Sequence, residues 1–424
     1  MKQMLPDAVR TALQFEEKTL PNGLTLRVIT IPEYRAAHAI YATHFGSIHR
    51  AFEQNGKSVL MPAGMAHFLE HKMFENEDGV DAFSLYAATG ASANAYTGFE
   101  RTSYIFTAST EIEKNLDILL SFVGHPHFTK ETVEKEQGII SQEIKMYADD
   151  AENRALFALL ASLYHNHPVR DEIVGTVETI AEITPESLYA CCDAFYNPSN
   201  MVLCAAGNIT MQQLEQAVAK ANLPQEKAAP TTRVFPKEER GVARPWHEFE
   251  MPVSMPLLAL GFKEEHPGGD TSKTEVICDL LTELICGETS SLYRRLYDEG
   301  LVQPDFSAEY GCVDEAMHFF FSTESEQPEK VREEILKEIN RQRREGVDPV
   351  QFDLCKNMMY GEAVAGLESV DRVASMLSVS YFMNRTPEKE MEALANVTVE
   401  DINAALQNMM LEEYSATVIV RPQS

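Results

Sequence analysis

The feature that most limits how this chain can fold is an internal echo. The run Phe106-TASTEIEKNLDILLSFV has a counterpart in Phe321-STESEQPEKVREEILKEI, each a strand end followed by a charged amphipathic helix. A second echo links TKETVEKEQGIISQEIKMYADD to VDPVQFDLCKNMMYGEAV farther along. Repetition of this kind predicts two homologous halves, and 424 residues is long for a single core. The stretch 223–245, LPQEKAAPTTRVFPKEERGVARP, is rich in Pro, Ala and charge and breaks the periodic pattern, so it reads as a linker. The expected layout is a first half over 1–222, the linker, and a second half over 246–424. Strands and helices are mixed rather than strictly alternating. That predicts an α+β fold in which each half is a mainly antiparallel sheet with helices on one face.

Only the first half carries an obvious chemical signature, HFLEH within GMAHFLEHKMFE. At about 100° per residue, His67, Glu70, His71 and Phe74 share one side of a helix, and Met65, Phe68, Leu69 and Met73 the other. Two histidines at i, i+4 can hold one Zn²⁺, and a glutamate just before the second can hold a water against it. A tetrahedral catalytic zinc needs one more protein ligand. The next helix-like run, capped by Thr129 or Thr132, has an apolar stripe of Val133, Ile139, Ile140 and Met146 that includes Glu136 and Glu143. Carboxylates on a buried face cost on the order of several kcal/mol each unless a cation neutralises them. Glu143 is therefore the expected third ligand of one zinc per chain. Glu136 joins Glu70 among the expected catalytic groups by orienting the site or the substrate. The segment of the second half corresponding to HFLEH is expected at Leu281–Gly287, LTELICG, which has no histidine, while Glu362 ends the echoed helix without a ligand set. Catalysis is thus assigned to the first half.

A place for substrate is also legible. Ser92 to Thr97, SANAYT, alternates polar and small residues and precedes a second strand-like run, so it could present an open edge. A peptide laid along Ala93, Asn94, Ala95 and Tyr96 would gain main-chain hydrogen bonds whatever its sequence. The formal net charge of −29 argues against nucleic acid or anionic membrane as partner. No apolar run approaches the length of a membrane span, and MKQMLPDAVRTALQFEEK lacks the apolar core of a signal peptide, so a cytoplasmic location is expected. Seven cysteines without CxxC spacing read as reduced thiols. The pairs His125/His127 and His165/His167 have chelating spacing but no further ligands nearby, so loop and packing roles are expected.

With HFLEH and the Glu136/Glu143 pair stand LPNGLTLRVITIP, GASANAYTGFERTSYIF, HPVRDEIVGTVETI and FYNPSNMVL. Together these resemble the pitrilysin/insulinase zinc metallopeptidases, in the short-chain branch of the mitochondrial processing peptidase and bacterial processing proteases. The resemblance is strong over about residues 15–220 and weaker beyond. It implies His67, His71 and Glu143 as zinc ligands, Glu70 as the base that activates water, Asn94 facing the site, and hydrolysis of peptides or small proteins. It also implies two homologous halves enclosing a chamber, with Tyr164, Arg170 and Gly175 as candidates for its wall, in dimers of such chains. One departure matters. Many complete members carry an Arg and, seven residues on, a Tyr in the second half; aligned on Leu296 and Gly300–Leu301, those positions are Tyr297 and Gln303. Arg294, Arg295 or Tyr310 could substitute. A sister chain that lacks HxxEH but carries the pair would complete the site in a heterodimer. The alternatives are a homodimer and a non-catalytic scaffold subunit.

Overall fold

The computed structural model describes residues 4–77 and 79–423. In chain order the strands are β1 (Glu16–Thr19), β2 (Thr25–Thr30), β3 (Ala37–Thr43), β4 (Ala51–Gln54), β5 (Lys57–Leu60), β6 (Ser92–Thr97), β7 (Thr102–Ala108), β8 (Met201–Gly207), β9 (Thr232–Arg233), β10 (Trp246–Met251), β11 (Leu257–Glu264), β12 (Ser307–Val313), β13 (Ala316–Glu324) and β14 (Ser415–Pro422). Two large sheets result, ordered β1-β2-β8-β3-β7-β6 and β10-β14-β11-β13-β12, with a small β5-β4-β9 sheet beside them.

The two large sheets share one wiring. β2 pairs with β8 in parallel, as β10 does with β14; every other neighbour in both sheets is antiparallel. The first echo therefore marks equivalent places: β7 leads into the helix Ile112–Gly124 as β13 leads into Pro328–Glu345. β6 and β12 are edge strands of their sheets, as β1 and β10 are at the other ends. The segment 223–245 holds β9, which pairs with β4, and Glu238, which accepts backbone hydrogen bonds from His165, Asn166 and His167.

The expectation of helices on one face holds for local packing and fails for the whole. Along β3 and β8, Ala39, Tyr41, Leu203 and Ala205 point into the first core, which the helices Met65–Met73 and Ile112–Gly124 cover. The alternate residues Ile40, Ala42, Val202, Cys204 and Ala206 point the other way, onto Val373, Ala374 and Leu377 of the helix Val370–Phe382 from the second half. The reciprocal contact is present. Leu257, Ala259, Ala416, Val418 and Val420 of the second sheet pack on Ala155, Leu159, Leu160 and Leu163 of the helix Ala151–Leu163. Each half thus lends one helix to the other. The central strands β3, β8 and β11 are buried along their whole length because both of their faces are covered. A third crossing comes from the N-terminal segment, where Leu5, Val9 and Leu13 pack on Met391 and Ala395.

Candidate metal centre

The HFLEH segment lies on the helix Met65–Met73, with Phe68, Leu69 and Met73 fully buried in the first core. The helix starts at Gly64, whose φ of 88° is a left-handed conformation that favours glycine. A Cβ there would stand 2.6 Å from the Val174 carbonyl oxygen, and one on Gly175 would stand 2.6 Å from that of Ala63. The two glycines let residues 172–174 lie directly against the start of the histidine helix. Phe74 departs from its expected side. The helix has ended there, and the ring stacks on Phe83 and Phe122 at 4.3 and 4.9 Å.

The second element is the helix Lys130–Ala148, opened by a capping box in which Thr129 and Thr132 satisfy each other's backbone N–H. Its inner face is Val133, Glu136, Ile140, Glu143 and Tyr147, at alternating steps of three and four. The expected stripe placed Ile139 and Met146 there as well. Both are instead exposed, at 47% and 61%, because they lie on the turn away from the core.

The two helices bring His67, His71 and Glu143 together, with their ligand atoms within 4.8 Å of one another. His67 Nε2 and His71 Nε2 each stand 3.5 Å from a Glu143 carboxylate oxygen. Two ligands about 2.0–2.1 Å from a tetrahedral zinc stand roughly 3.3 Å apart, so this triangle has the size such an ion requires. The donor set of two imidazoles and one carboxylate fits a zinc ion. His71 Nδ1 lies 3.0 Å from Glu136 Oε1, which assigns the ring proton to Nδ1 and leaves Nε2 a lone pair facing Glu143. His67 Nδ1 is buried without a hydrogen-bond partner among the described residues, so that ring's polar contact is through Nε2. Burial lowers the His71 pKa, but the Glu136 hydrogen bond and the charges of Glu136, Glu143 and Glu70 outweigh it and raise it overall. The His67 contact, followed by the nearby charges of both rings, holds the Glu143 carboxyl below its ordinary value against desolvation.

Glu70, 9% exposed, faces the same cavity of about 440 Å³. Its Oε2 accepts a 2.5 Å hydrogen bond from the Thr97 hydroxyl at the end of β6. The sequence reading missed Thr97. The alternation of SANAYT that marks it as strand also sets Ala93, Ala95 and Thr97 on the pleat face toward the histidine helix, and that signal was available. Ser92, Asn94 and Tyr96 occupy the exposed face, and Asn94 Oδ1 accepts from the Ala95 backbone. Ala95, Tyr96 and Thr97 line the cavity. Its far wall comes from Tyr147, from Leu156 and Phe157 of the lent helix, and from Glu172, Ile173 and Val174. Tyr164 and Arg170 are not in that wall. Tyr164 is buried against Met317 and His318, and Arg170 bonds the His165 carbonyl. Nor are Arg294, Arg295, Tyr297, Gln303 or Tyr310; Arg295 is held by Glu334 at 2.8 Å and Tyr297 stacks on Tyr293.

A second group of potential ligands, His44, His49 and Asp314, joins the two halves. His49 Nδ1 accepts from the Gly46 backbone, so its Nε2 keeps the proton and donates to Asp314 Oδ2 at 3.1 Å. With both nitrogens engaged, His49 fastens the β12–β13 turn to the first half. His167 does the same, its Nε2 donating to the Asp314 carbonyl at 2.8 Å while Nδ1 accepts from the Val169 backbone.

Comparison with known proteins gives two family matches. The insulinase family (peptidase family M16) matches residues 61–177, which contain the four site residues, and the peptidase M16 inactive domain matches residues 182–359. An uncharacterized zinc protease of Bacillus subtilis, YmfH, is 35% identical over 413 residues, 95% of this chain and 94% of that protein. The crystal structure of an M16-like peptidase from Alicyclobacillus acidocaldarius has a TM-score of 0.94 at 34% identity over 100% of both chains. The periplasmic protease PqqL from Escherichia coli shares the fold, with a TM-score of 0.76 and 20% identity over 96% of this chain and 47% of its own.

Proposed function

The chain belongs to the insulinase (M16) family of peptidases, and on that premise we propose that it is a zinc-dependent endopeptidase whose catalytic groups all come from its first half. The observation that carries this reading is the convergence of His67, His71 and Glu143, with Glu70 beside them, at the end of an unpaired strand edge.

A zinc ion held by those three side chains would supply a Lewis acid to polarise the scissile carbonyl and acidify a water. Glu70 is placed to take a proton from the attacking water and pass it to the leaving amine. Thr97 fixes one carboxylate oxygen, so Oε1 is the atom that carries the proton. Glu136 holds the His71 Nδ1 proton and with it the tautomer that presents Nε2. The peptide or small protein adds to β6 as a further strand, and its backbone is gripped whatever its side chains. The second half closes the chamber and carries the wall of the cavity through the packing beneath Leu156 and Phe157.

We assign the chain to a heterodimer whose sister supplies substrate-binding residues. The second-half positions that could have done so are engaged elsewhere or outside the cavity, and a relative of about twice this length exists with two such lengths in one chain. A homodimer is the competing outcome: the purified chain would then cleave peptides alone as fast as with any sister. Seven unpaired cysteines favour a reducing compartment, and we place the chain in the cytoplasm.

The decisive experiment is Glu70→Gln. Removal of the base should keep zinc at its native stoichiometry and lower peptide cleavage by about 10³-fold or more. Cleavage at the native rate would overturn the assignment.

A further inference from the structure

We propose that Tyr147 is a catalytic residue of this site: its phenol donates a hydrogen bond to the carbonyl oxygen that gains negative charge as the peptide bond is attacked. The inference rests on the peptidase reading and deepens it.

Tyr147 stands one helical turn beyond Glu143 on the face that also carries Glu136, so the rigid helix sets its position relative to a metal ligand. It lines the same cavity as His67, Glu70, His71 and Glu143. Its phenol makes no hydrogen bond among the described residues, and the side chain is only half-buried, so the donor is free and reachable.

The other donors around the cavity are less suited. The Thr97 proton is committed to Glu70, and His71 Nδ1 to Glu136. Tyr96 lies on the exposed pleat face of β6, 39% exposed and pointing with Ser92 and Asn94. Asn153 lines the cavity from the lent helix and is a neutral donor, but it is not on the helix that carries the ligand. None of the second-half residues with the right chemistry lines the cavity. A neutral donor placed where charge develops acts only as the reaction proceeds, which is where a hydrogen bond is worth most. The phenol keeps its proton throughout; no bond to it forms or breaks.

Tyr147→Phe keeps the ring and removes only the donor. In the full zinc-loaded chain, with its sister if one is required, kcat should fall about 100-fold with KM unchanged. Zinc content should also be unchanged. A phosphonate peptide isostere, whose tetrahedral anion resembles the attacked carbonyl, should bind about 100-fold more weakly, whereas an uncleaved peptide should bind Glu70→Gln and Glu70→Gln/Tyr147→Phe equally well. Native kcat and native phosphonate affinity in Tyr147→Phe, or the same losses in Asn153→Ala instead, would overturn the proposal. If Glu70→Gln is inactive while Tyr147→Phe is normal, only the role of Tyr147 fails. If the native zinc-loaded chain, alone and with its sister, cleaves no peptide, the peptidase reading fails with it.

Discussion

Two clefts, one in each half, differ in what faces their carboxyl groups. The first lies between Met65–Met73, Lys130–Ala148 and the edge strand β6; the second lies between the helices Ser272–Cys286 and Pro349–Gly366 and the edge strand β12. Their volumes are close, about 440 and about 400 Å³. Glu143 and Glu362 each stand thirteen residues after the start of their helix, and both line their cleft. In the first cleft imidazoles face the glutamate. In the second the neighbours are Glu283, which lines the cleft, and Asp279 one turn before it. Burial followed by the charges of Glu362 and Glu288 raises the Glu283 carboxyl, and burial with Glu275 and Glu283 lifts Asp279 to about 7. One scaffold thus permits two outcomes. Faced by histidine, a half-buried carboxylate stays charged and can share a cation; beside other carboxyls, Glu283 and Asp279 tend to take a proton.

The comparison breaks most sharply at the paired glutamates. Glu143→Gln should weaken zinc binding by more than about 100-fold, beyond the effect of losing an outer partner, and activity should fall with it. Glu362→Gln should change neither. Metal analysis and peptide cleavage on both variants decide this, and equal zinc stoichiometry in Glu143→Gln and native protein would move the ligand role to Glu136. Next in size is Glu136→Gln, where loss of the group behind His71 should weaken zinc by about 10–100-fold. Cys355 occupies the corresponding place in the second half, and Cys355→Ser should leave zinc affinity untouched. Smaller again is Thr97→Val. A hydrogen bond to a charged group is worth about 1.5 kcal/mol at the low end of its range, so kcat should fall at least about tenfold, with zinc retained.

The smallest effect concerns what joins the halves. Burial first of all holds His44 near 3 and His49, His167 and His318 near 4, below their ordinary value of 6.5. The unfolded chain therefore binds these protons more readily than the folded one. The stability due to neutral rings is intact above about 6.5 and is lost as pH falls toward 4. Thermal unfolding should drop by a few degrees over that interval and recover when pH is restored. An unchanged midpoint from pH 7 to 4.5 would show that the seam does not titrate.

Much of the first cleft was legible because its signals are local. Helical spacing in HFLEH, the capping box at Thr129 and the alternation of SANAYT each report on a few neighbouring residues, and each is present. The internal echo likewise predicted matching elements, which the shared strand order bears out. What failed was long-range. Ile139 and Met146 were placed inward because apolar identity alone does not say which of two adjacent helix faces is covered. The lent helices were invisible for a similar reason. A fully apolar strand such as MVLCAAG announces two buried faces but not which part of the chain covers the second.

That lending has a consequence for synthesis on the ribosome. The face of β8 carrying Val202, Cys204 and Ala206 is made well before its cover, which arrives only with the helix Val370–Phe382. Until then a nascent first sheet presents an apolar surface that its own sequence cannot bury, in a chain whose closing contacts are among its most distant. Translation pauses or truncations before residue 370 should leave a sticky intermediate, a natural client for holding chaperones.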